Sequence, residues 1–230
     1  AGGERFQLGV GVAAYVEVTG GGSATEYGYV EVHDDGSATV RAGTSSHGQG
    51  HATSFAMIVS DRLGIPLDRI RYEQSDTALI PRGGGTGGSR SLQLGGSAVS
   101  KATEAVLARA RTIAAQLLEA APEDIVVTDD GRVGVAGVPS AALEWSAVAR
   151  AATADGGDPL LAALDFQQDG ATFPFGTHIA VVEVDTETGR VELVRHVAVD
   201  DCGRILNPLI VTGQQHGGIA QGVAQALYEQ

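Results

Sequence analysis

Apolar and polar positions alternate early in the chain. Tyr27, Tyr29, Val30 and Val32 precede the turn Asp34-Asp35-Gly36, and Ala38, Val40 and Ala42 follow it. Period-two alternation marks a half-buried strand, and Asp-Gly between two such runs marks a hairpin, here over 26–43. The period then lengthens: Ala52, Phe55, Ala56, Val59 and Leu63 share one helical face, with Gly64 and Pro66 as the stop. Arg69-Ile70-Arg71-Tyr72 reads as a short strand. A long helix is predicted over about residues 92–120, with Leu94, Ala98, Ala102, Ala105, Val106, Ile113 and Leu117 as its stripe. Ile125-Val126-Val127-Thr128, Asp129-Asp130-Gly131 and Val133 to Val135 form a further hairpin. Ser140 is expected to cap a helix through Ala141, Leu143, Val148 and Ala149. Residues 153–176 read as a connecting loop in which Ala162 to Phe166 can pair as a strand. Ile179 to Val184 and Val191 to Val199 are strands joined through Thr188-Gly189, and Ile219, Val223 and Leu227 mark a final helix.

This pattern predicts an α+β fold of β-hairpins and mixed sheets packed against helices. Hairpin, glycine-glutamine loop and helix occur twice, at 26–64 and 178–229, so two sub-regions are expected, about 1–150 and 151–230. The periodic pattern runs to Tyr228-Glu229-Gln230 with no glycine or proline terminator, and Ala1-Gly2-Gly3-Glu4-Arg5 has no leader character. The chain therefore reads as a portion of a longer one.

Composition narrows the function classes. The chain has 230 residues and a formal net charge of −13, from 28 acidic and 15 basic side chains. No basic run occurs, which argues against nucleic acid and anionic membrane surfaces as partners. No stretch is long and apolar enough to span a bilayer. Cys202 is the only cysteine, which excludes an internal disulfide and a cysteine-based zinc site, and a reducing cytoplasm is the expected compartment. Its acidic neighbours argue against a nucleophilic role, and it reads as a packed small residue at the base of a site.

Three segments carry the candidate chemistry. Gly48-Gln49-Gly50-His51 and Gly213-Gln214-Gln215-His216-Gly217-Gly218 each place glutamine among glycines at an expected helix start, and Gly83-Gly84-Gly85-Thr86-Gly87-Gly88-Ser89-Arg90-Ser91 lies between them. Glycines let backbone N–H groups converge on a ligand, and a helix start adds unpaired donors and partial positive charge. Such loops suit phosphate, and Arg90 between two serines supplies a cation and hydroxyls. Glutamine both donates and accepts, which suits a flat heterocycle. The third loop lacks the lysine of a P-loop and the strand context of a dinucleotide fingerprint. No histidine spacing matches a zinc helix motif.

Taken together, Gly43-Thr44-Ser45-Ser46-His47-Gly48-Gln49-Gly50-His51-Ala52-Thr53, then Gly85-Thr86-Gly87-Gly88-Ser89-Arg90-Ser91, then Asp200-Asp201-Cys202-Gly203 through Asn207-Pro208 to Gly213–Gly218 resemble the molybdenum-binding large subunit of the xanthine dehydrogenase and aldehyde oxidase family. Leu63-Gly64-Ile65-Pro66 and Gln225-Ala226-Leu227-Tyr228-Glu229 agree, and the bacterial carbon monoxide dehydrogenase-like branch is the nearest. The resemblance implies a molybdopterin-binding module, with the pterin in its cytosine dinucleotide form. It implies that Gln49, between Gly48 and Gly50, lies near the molybdenum, that Gly88, Ser89, Arg90 and Ser91 hold the phosphate and nucleotide part, and that Gln214 hydrogen-bonds the pterin. The metal is then held by the pterin's dithiolene, with no direct protein ligand. The general base of the family is a glutamate in a segment after Gln230, so no catalytic residue is expected here and Glu229 is not that base. Iron–sulfur clusters and flavin belong to partner subunits or domains, and a dimer of the full assembly is implied. The parent reaction would oxidise carbon monoxide, an aldehyde or an N-heterocycle with water, and the portion alone is expected to be inactive. Two other readings stay open: a non-catalytic assembly piece, and an unrelated phosphate-binding enzyme that uses the Gly83–Ser91 loop alone.

Overall fold

The computed structural model describes residues 5–20 and 25–229. The chain divides into two compact units, residues 20–171 and residues 1–19 with 172–230. The division differs from the expected sub-regions, because a strand near the start of the chain joins the sheet of the last two strands, pairing with the first of them, and a strand beyond residue 150 pairs with the first hairpin. Gln230 and residues 1–4, which the reading of the chain ends used, lie outside the described residues.

In the unit of residues 20–171, β2 (Thr25–Val32) and β3 (Ala38–Ala42) form the expected hairpin, in register from Gly28 opposite Ala42 to Val32 opposite Ala38. The backbone N–H of Gly36, at φ 81°, bonds the His33 carbonyl and closes the turn. β4 (Ile70–Glu73) adds parallel to β3, and β8 (Leu160–Gln167) adds antiparallel to β2. The sheet order is thus β4-β3-β2-β8.

Helices α1 (His51–Leu63) and α2 (Ser97–Leu118) supply the apolar cover. Phe55, Ala56, Val59 and Leu63 of α1 are buried, while Ala52, expected on that stripe, is exposed. On α2 the buried residues Ala98, Ala102, Val106, Ala110 and Ala114 recur every four residues, and the expected Ala105 and Leu117 fall off the stripe. Small side chains there let the helix approach closely: a Cβ on Gly28 of β2 would collide with the Ala98 backbone. The long helix is not α-helical throughout, because residues Ser91–Gly96 form a π-helical turn that leads into α2. Val30, Val40, Phe55, Val59, Val99 and Val106 sit at the centre of this core.

A small sheet, β5 (Ile125–Val127), β6 (Val133–Val135) and β7 (Ala142–Leu143), completes the unit with α3 (Trp145–Thr153). The expected Ser140-capped helix is corrected here. Ala142 pairs with Gly134, whose missing Cβ admits the neighbouring strand, and the helix begins only after Glu144. Trp145 is buried and donates its indole N–H to the Leu63 carbonyl at 2.7 Å, satisfying an acceptor at the end of α1.

In the other unit, β1 (Phe6–Val16), β9 (Phe175–Asp185) and β10 (Val191–Asp201) make an antiparallel sheet in the order β1-β9-β10. β1 had no counterpart among the sequence-predicted elements. Its alternation sets Leu8, Val10 and Val12 against Gly9, Gly11 and Ala13, so the middle of one face, between Gln7 and Tyr15, carries almost no side chain. The final helix, α4 (Pro208–Tyr228), starts earlier than expected. The Asn207 side chain accepts from the N–H groups of Leu209 and Ile210, and Pro208 occupies the first turn, so the second glutamine segment lies inside the helix and is not a loop.

Candidate functional site

The first and third glycine segments meet in the unit of residues 20–171. Gly43 and Gly83 cross with their backbones in contact, and a Cβ on either would strike the other's main chain. The Gly85 N–H donates to the Gly43 carbonyl at 3.2 Å. The buried Thr44 hydroxyl lies 2.7 Å from both the Thr86 and Ser91 hydroxyls, and the Ser45 N–H donates to Thr86 Oγ1 at 3.1 Å. Tyr72 of β4 donates its hydroxyl to the Thr44 carbonyl at 2.7 Å, and burial raises its pKa. One hydroxyl ladder therefore fixes the two loops as a single surface.

A residue that sequence reasoning missed anchors this surface. Glu26 is the second residue of β2 and its side chain is wholly buried (0 % exposed). Its carboxylate accepts from the Gly84 N–H at 3.3 Å and from the Arg90 guanidinium at 3.3 Å. Arg90, singled out from the sequence as the anion-binding cation, also donates to the Thr25 carbonyl at 3.1 Å and to Gly84 O at 3.4 Å. Its charge is thus already balanced by Glu26. The alternating pattern of β2 gives Glu26 the look of an edge residue, and only the packed loop above it makes the carboxylate internal.

The loops expose backbone donors. Gly48 and Gly50 hold φ 111° and 78°, and Gly85 and Gly88 hold φ 70° and 53°. Ser89 is exposed and takes a left-handed φ of 53°, a conformation costly for a residue with a Cβ. Helix α1 starts after Gly50 and the π-helical turn starts after Arg90, each with no side-chain cap, so both starts keep N–H groups for a ligand. Gln49 is folded back on its own loop: Oε1 accepts from the His47 N–H at 2.5 Å, and Nε2 lies 3.5 Å from the Ser45 carbonyl. His51 is buried and stacked on Phe55 with ring centroids 5.2 Å apart, and both its ring nitrogens lack a partner among the described residues. Burial, helped by nearby His47, lowers its pKa and favours the neutral ring.

Gln214 lies in the other unit, exposed on α4, while its neighbour Gln215 donates Nε2–H to Asp200 Oδ2 at 2.7 Å. The structure joins the loop that carries Gln49 to the loop that carries Ser89, Arg90 and Ser91 through Thr44, Ser45 and Thr86. Cys202 is exposed, which corrects the expectation of a packed residue. His47 and His216 are exposed. Among the described residues no group of three or more His, Cys, Asp or Glu side chains could hold a metal ion.

The family model described as the molybdopterin cofactor-binding domain matches residues 1–230. The chain belongs to the molybdopterin cofactor-binding domain family. The large chain of carbon monoxide dehydrogenase from Hydrogenophaga pseudoflava is 38% identical over 184 residues, covering 77% of this chain and 22% of that protein. The gamma subunit of the 6-hydroxypseudooxynicotine dehydrogenase complex from Paenarthrobacter nicotinovorans is 38% identical over 183 residues, 77% of this chain and 23% of that one. The solved structure of reconstituted CO dehydrogenase from Oligotropha carboxidovorans superposes with a TM-score of 0.85 at 34% identity, covering 93% of this chain and 28% of that chain. This member of the molybdopterin-binding family thus spans under a quarter of the curated relatives' length, and it shares their α+β architecture.

The loops fit a phosphorylated pterin on their own chemistry. The uncapped helix starts and positive-φ glycines suit phosphate oxygens. The amide of Gln49 and the hydroxyls of Ser45, Ser89 and Ser91 both donate and accept. The buried nitrogens of His51 and the buried Nε of Arg90, all without partners, mark polar capacity beside both loops.

Proposed function

We propose that this chain is the cofactor-binding portion of a molybdenum hydroxylase, and that the joined 43–50 and 83–91 loops hold molybdopterin in its cytosine dinucleotide form. The observation that carries the reading is the Thr44–Thr86–Ser91 hydroxyl ladder, which turns two glycine segments distant in sequence into one donor-lined surface. Gly88, Ser89 and Ser91 bind the phosphate and nucleotide part through backbone N–H and hydroxyl groups. Arg90 holds the loop in shape through Glu26, so its share in anion binding is to position its neighbours. Gln49, set between Gly48 and Gly50, presents its amide to the metal end of the cofactor once its intraloop bonds exchange for ligand bonds, and Gln214 hydrogen-bonds the pterin. When bound, the molybdenum group supplies the oxidation of a carbon centre with water as the oxygen source. No residue of this chain ligates the metal or serves as base. Relatives include a carbon monoxide dehydrogenase, a 6-hydroxypseudooxynicotine dehydrogenase and an indole-3-acetaldehyde oxidase, which supports carbon monoxide, an aldehyde or an N-heterocycle as the substrate class. Electrons pass to iron–sulfur and flavin partners, and the chain by itself is inactive.

The test is titration of the chain with molybdopterin, followed by pterin fluorescence and by the thermal midpoint, since a ligand that binds only the folded state raises it. Gln49→Ala and Gln214→Ala are expected to weaken binding about tenfold each, the value of one good hydrogen bond in a dry site. Unchanged binding in both variants, with loss only on substitution in 85–91, would support the rival phosphate-binding enzyme. No binding by the parent chain would support the assembly piece.

A further inference from the structure

A second polar constellation lies wholly within the unit that contains β1, β9, β10 and α4. Tyr15, Gly176 and Asp200 are register partners across the three strands. A Cβ on Gly176 would overlap the Asp200 carboxylate, so this glycine opens a gap over the middle strand. Through the gap the Tyr15 hydroxyl donates to Asp200 Oδ1 at 2.9 Å. His178, two residues along β9 on the same face, lies 3.0 Å from the same oxygen. A carboxylate only accepts, so His178 carries its proton on Nε2. Its Nδ1 faces His196 Nε2 at 3.1 Å. Oδ2 is left for Gln215 of α4, at 2.7 Å. Burial works against the charge of Asp200, but the bonds from Gln215, His178 and Tyr15 prevail and hold its pKa below the usual value. The same carboxylate helps raise the pKa of Tyr15 to about 12, an effect led by burial of the phenol.

The geometry of α4 gives this clamp a consequence. Gln215, Ile219, Val223 and Leu227 follow one another at four-residue steps, and the last three line a cavity of about 230 Å³ against His178 and His196 of the sheet. Gln214 precedes Gln215 by one residue, about 100° around the helix, and is exposed. The stripe itself is weakly specifying, since Gly218 and Gly222 leave that face with little to interlock.

We infer that Asp200 is a positioning residue for cofactor binding: by clamping Gln215 it sets the rotation of α4, and so divides the glutamine pair into an internal anchor and a ligand-facing Gln214. This rests on the reading of Gln214 as a pterin-binding residue. The two bonds on Oδ1 fix which carboxylate oxygen faces the helix. The clamp therefore has a direction as well as a strength, which the apolar stripe with its two glycines does not supply.

The experiment pairs amide hydrogen exchange over α4 with molybdopterin binding by the same chain. Asp200→Ala is expected to speed exchange over residues 211–219 about tenfold, the worth of one charge-assisted hydrogen bond, and to weaken pterin binding by a similar factor. Gln214→Ala is expected to weaken binding and leave exchange as in the parent. Gln215→Glu sets carboxylate against carboxylate at a half-buried site and is expected to reproduce Asp200→Ala, which covers the case in which that variant fails to fold. Asp200→Asn keeps the acceptor for Tyr15 and His178, and adding it to Gln215→Glu restores a donor–acceptor pair, so the double variant is expected to recover both readouts. Normal exchange or normal binding in Asp200→Ala and Gln215→Glu, while Gln214→Ala binds weakly, would overturn the inference alone. Normal binding in Gln214→Ala would overturn the underlying functional reading as well, whatever the exchange rates show.

Discussion

At the scale of the residue, the loop surface rests on a charge pair that serves shape. Glu26 is fully enclosed and the Arg90 side chain is 18 % exposed, and between them they hold the Gly84 N–H and the Thr25 carbonyl. A charge left behind after its partner is removed costs far more than the pair contributes, because its desolvation is no longer offset. Glu26→Ala is therefore expected to destabilise the chain by about 2–4 kcal/mol, and Arg90→Met by a similar amount. The double variant is expected to lie within about 1 kcal/mol of either single one, since no unpaired charge remains. Urea unfolding of the three variants measures this, and strictly additive losses would show that the two side chains act independently.

At the scale of the element, packing reverses what helix propensity alone would say. Gly95 sits in the π-helical turn before α2, where alanine would ordinarily gain about 1 kcal/mol. A Cβ there would lie 2.7 Å from Thr44 Cγ2 and 3.3 Å from Phe55 Cζ. Thr44 cannot step aside, because its buried hydroxyl bridges Thr86 and Ser91. Gly95→Ala is expected to lower stability by about 1–2 kcal/mol net, within the usual cost of overpacking, and a raised thermal midpoint would refute it. The same contest explains what the sequence showed and hid. The first hairpin and α1 were legible because alternation, the Asp-Gly turn and the Gly64 stop all agreed. Arg90 was legible as a charged residue in a glycine loop, but its partner Glu26 was not, since the pair is 64 residues apart in sequence. The second glutamine segment read as a loop on its glycines, yet Asn207 and Pro208 start the helix upstream and the chain carries the glycines in helical form. Asp200 was visible only as part of a motif, because the bonds that give it a role come from Tyr15, His178 and Gln215 on three other elements.

At the scale of the whole molecule, apolar burial is distributed unevenly between the two units. Among the described residues, every buried hydrophobic side chain lies between Tyr27 and Leu160, within the unit of residues 20–171. The other unit offers a three-stranded sheet and one helix with no fully buried hydrophobic residue, and Leu8, Val10, Val12, Val16 and Val199 are each at least two-thirds exposed. Stability follows the apolar area removed from water, so cooperative unfolding should belong to the first unit. An excised chain of residues 20–171 is expected to unfold in one cooperative step with the midpoint of the main transition of the 230-residue chain. A fall of more than about 4 °C, which is roughly 1 kcal/mol or more for a domain of this size, would mean that the remaining residues contribute to the core. The exposed valines and leucines of β1 make the complementary point. Because β1 is an edge strand with an apolar face, the 230-residue chain is expected to self-associate with rising concentration while the excised unit stays monomeric. Sedimentation velocity on the two chains at matched concentrations decides this, and association of the excised unit to the same extent would move the sticky surface away from β1.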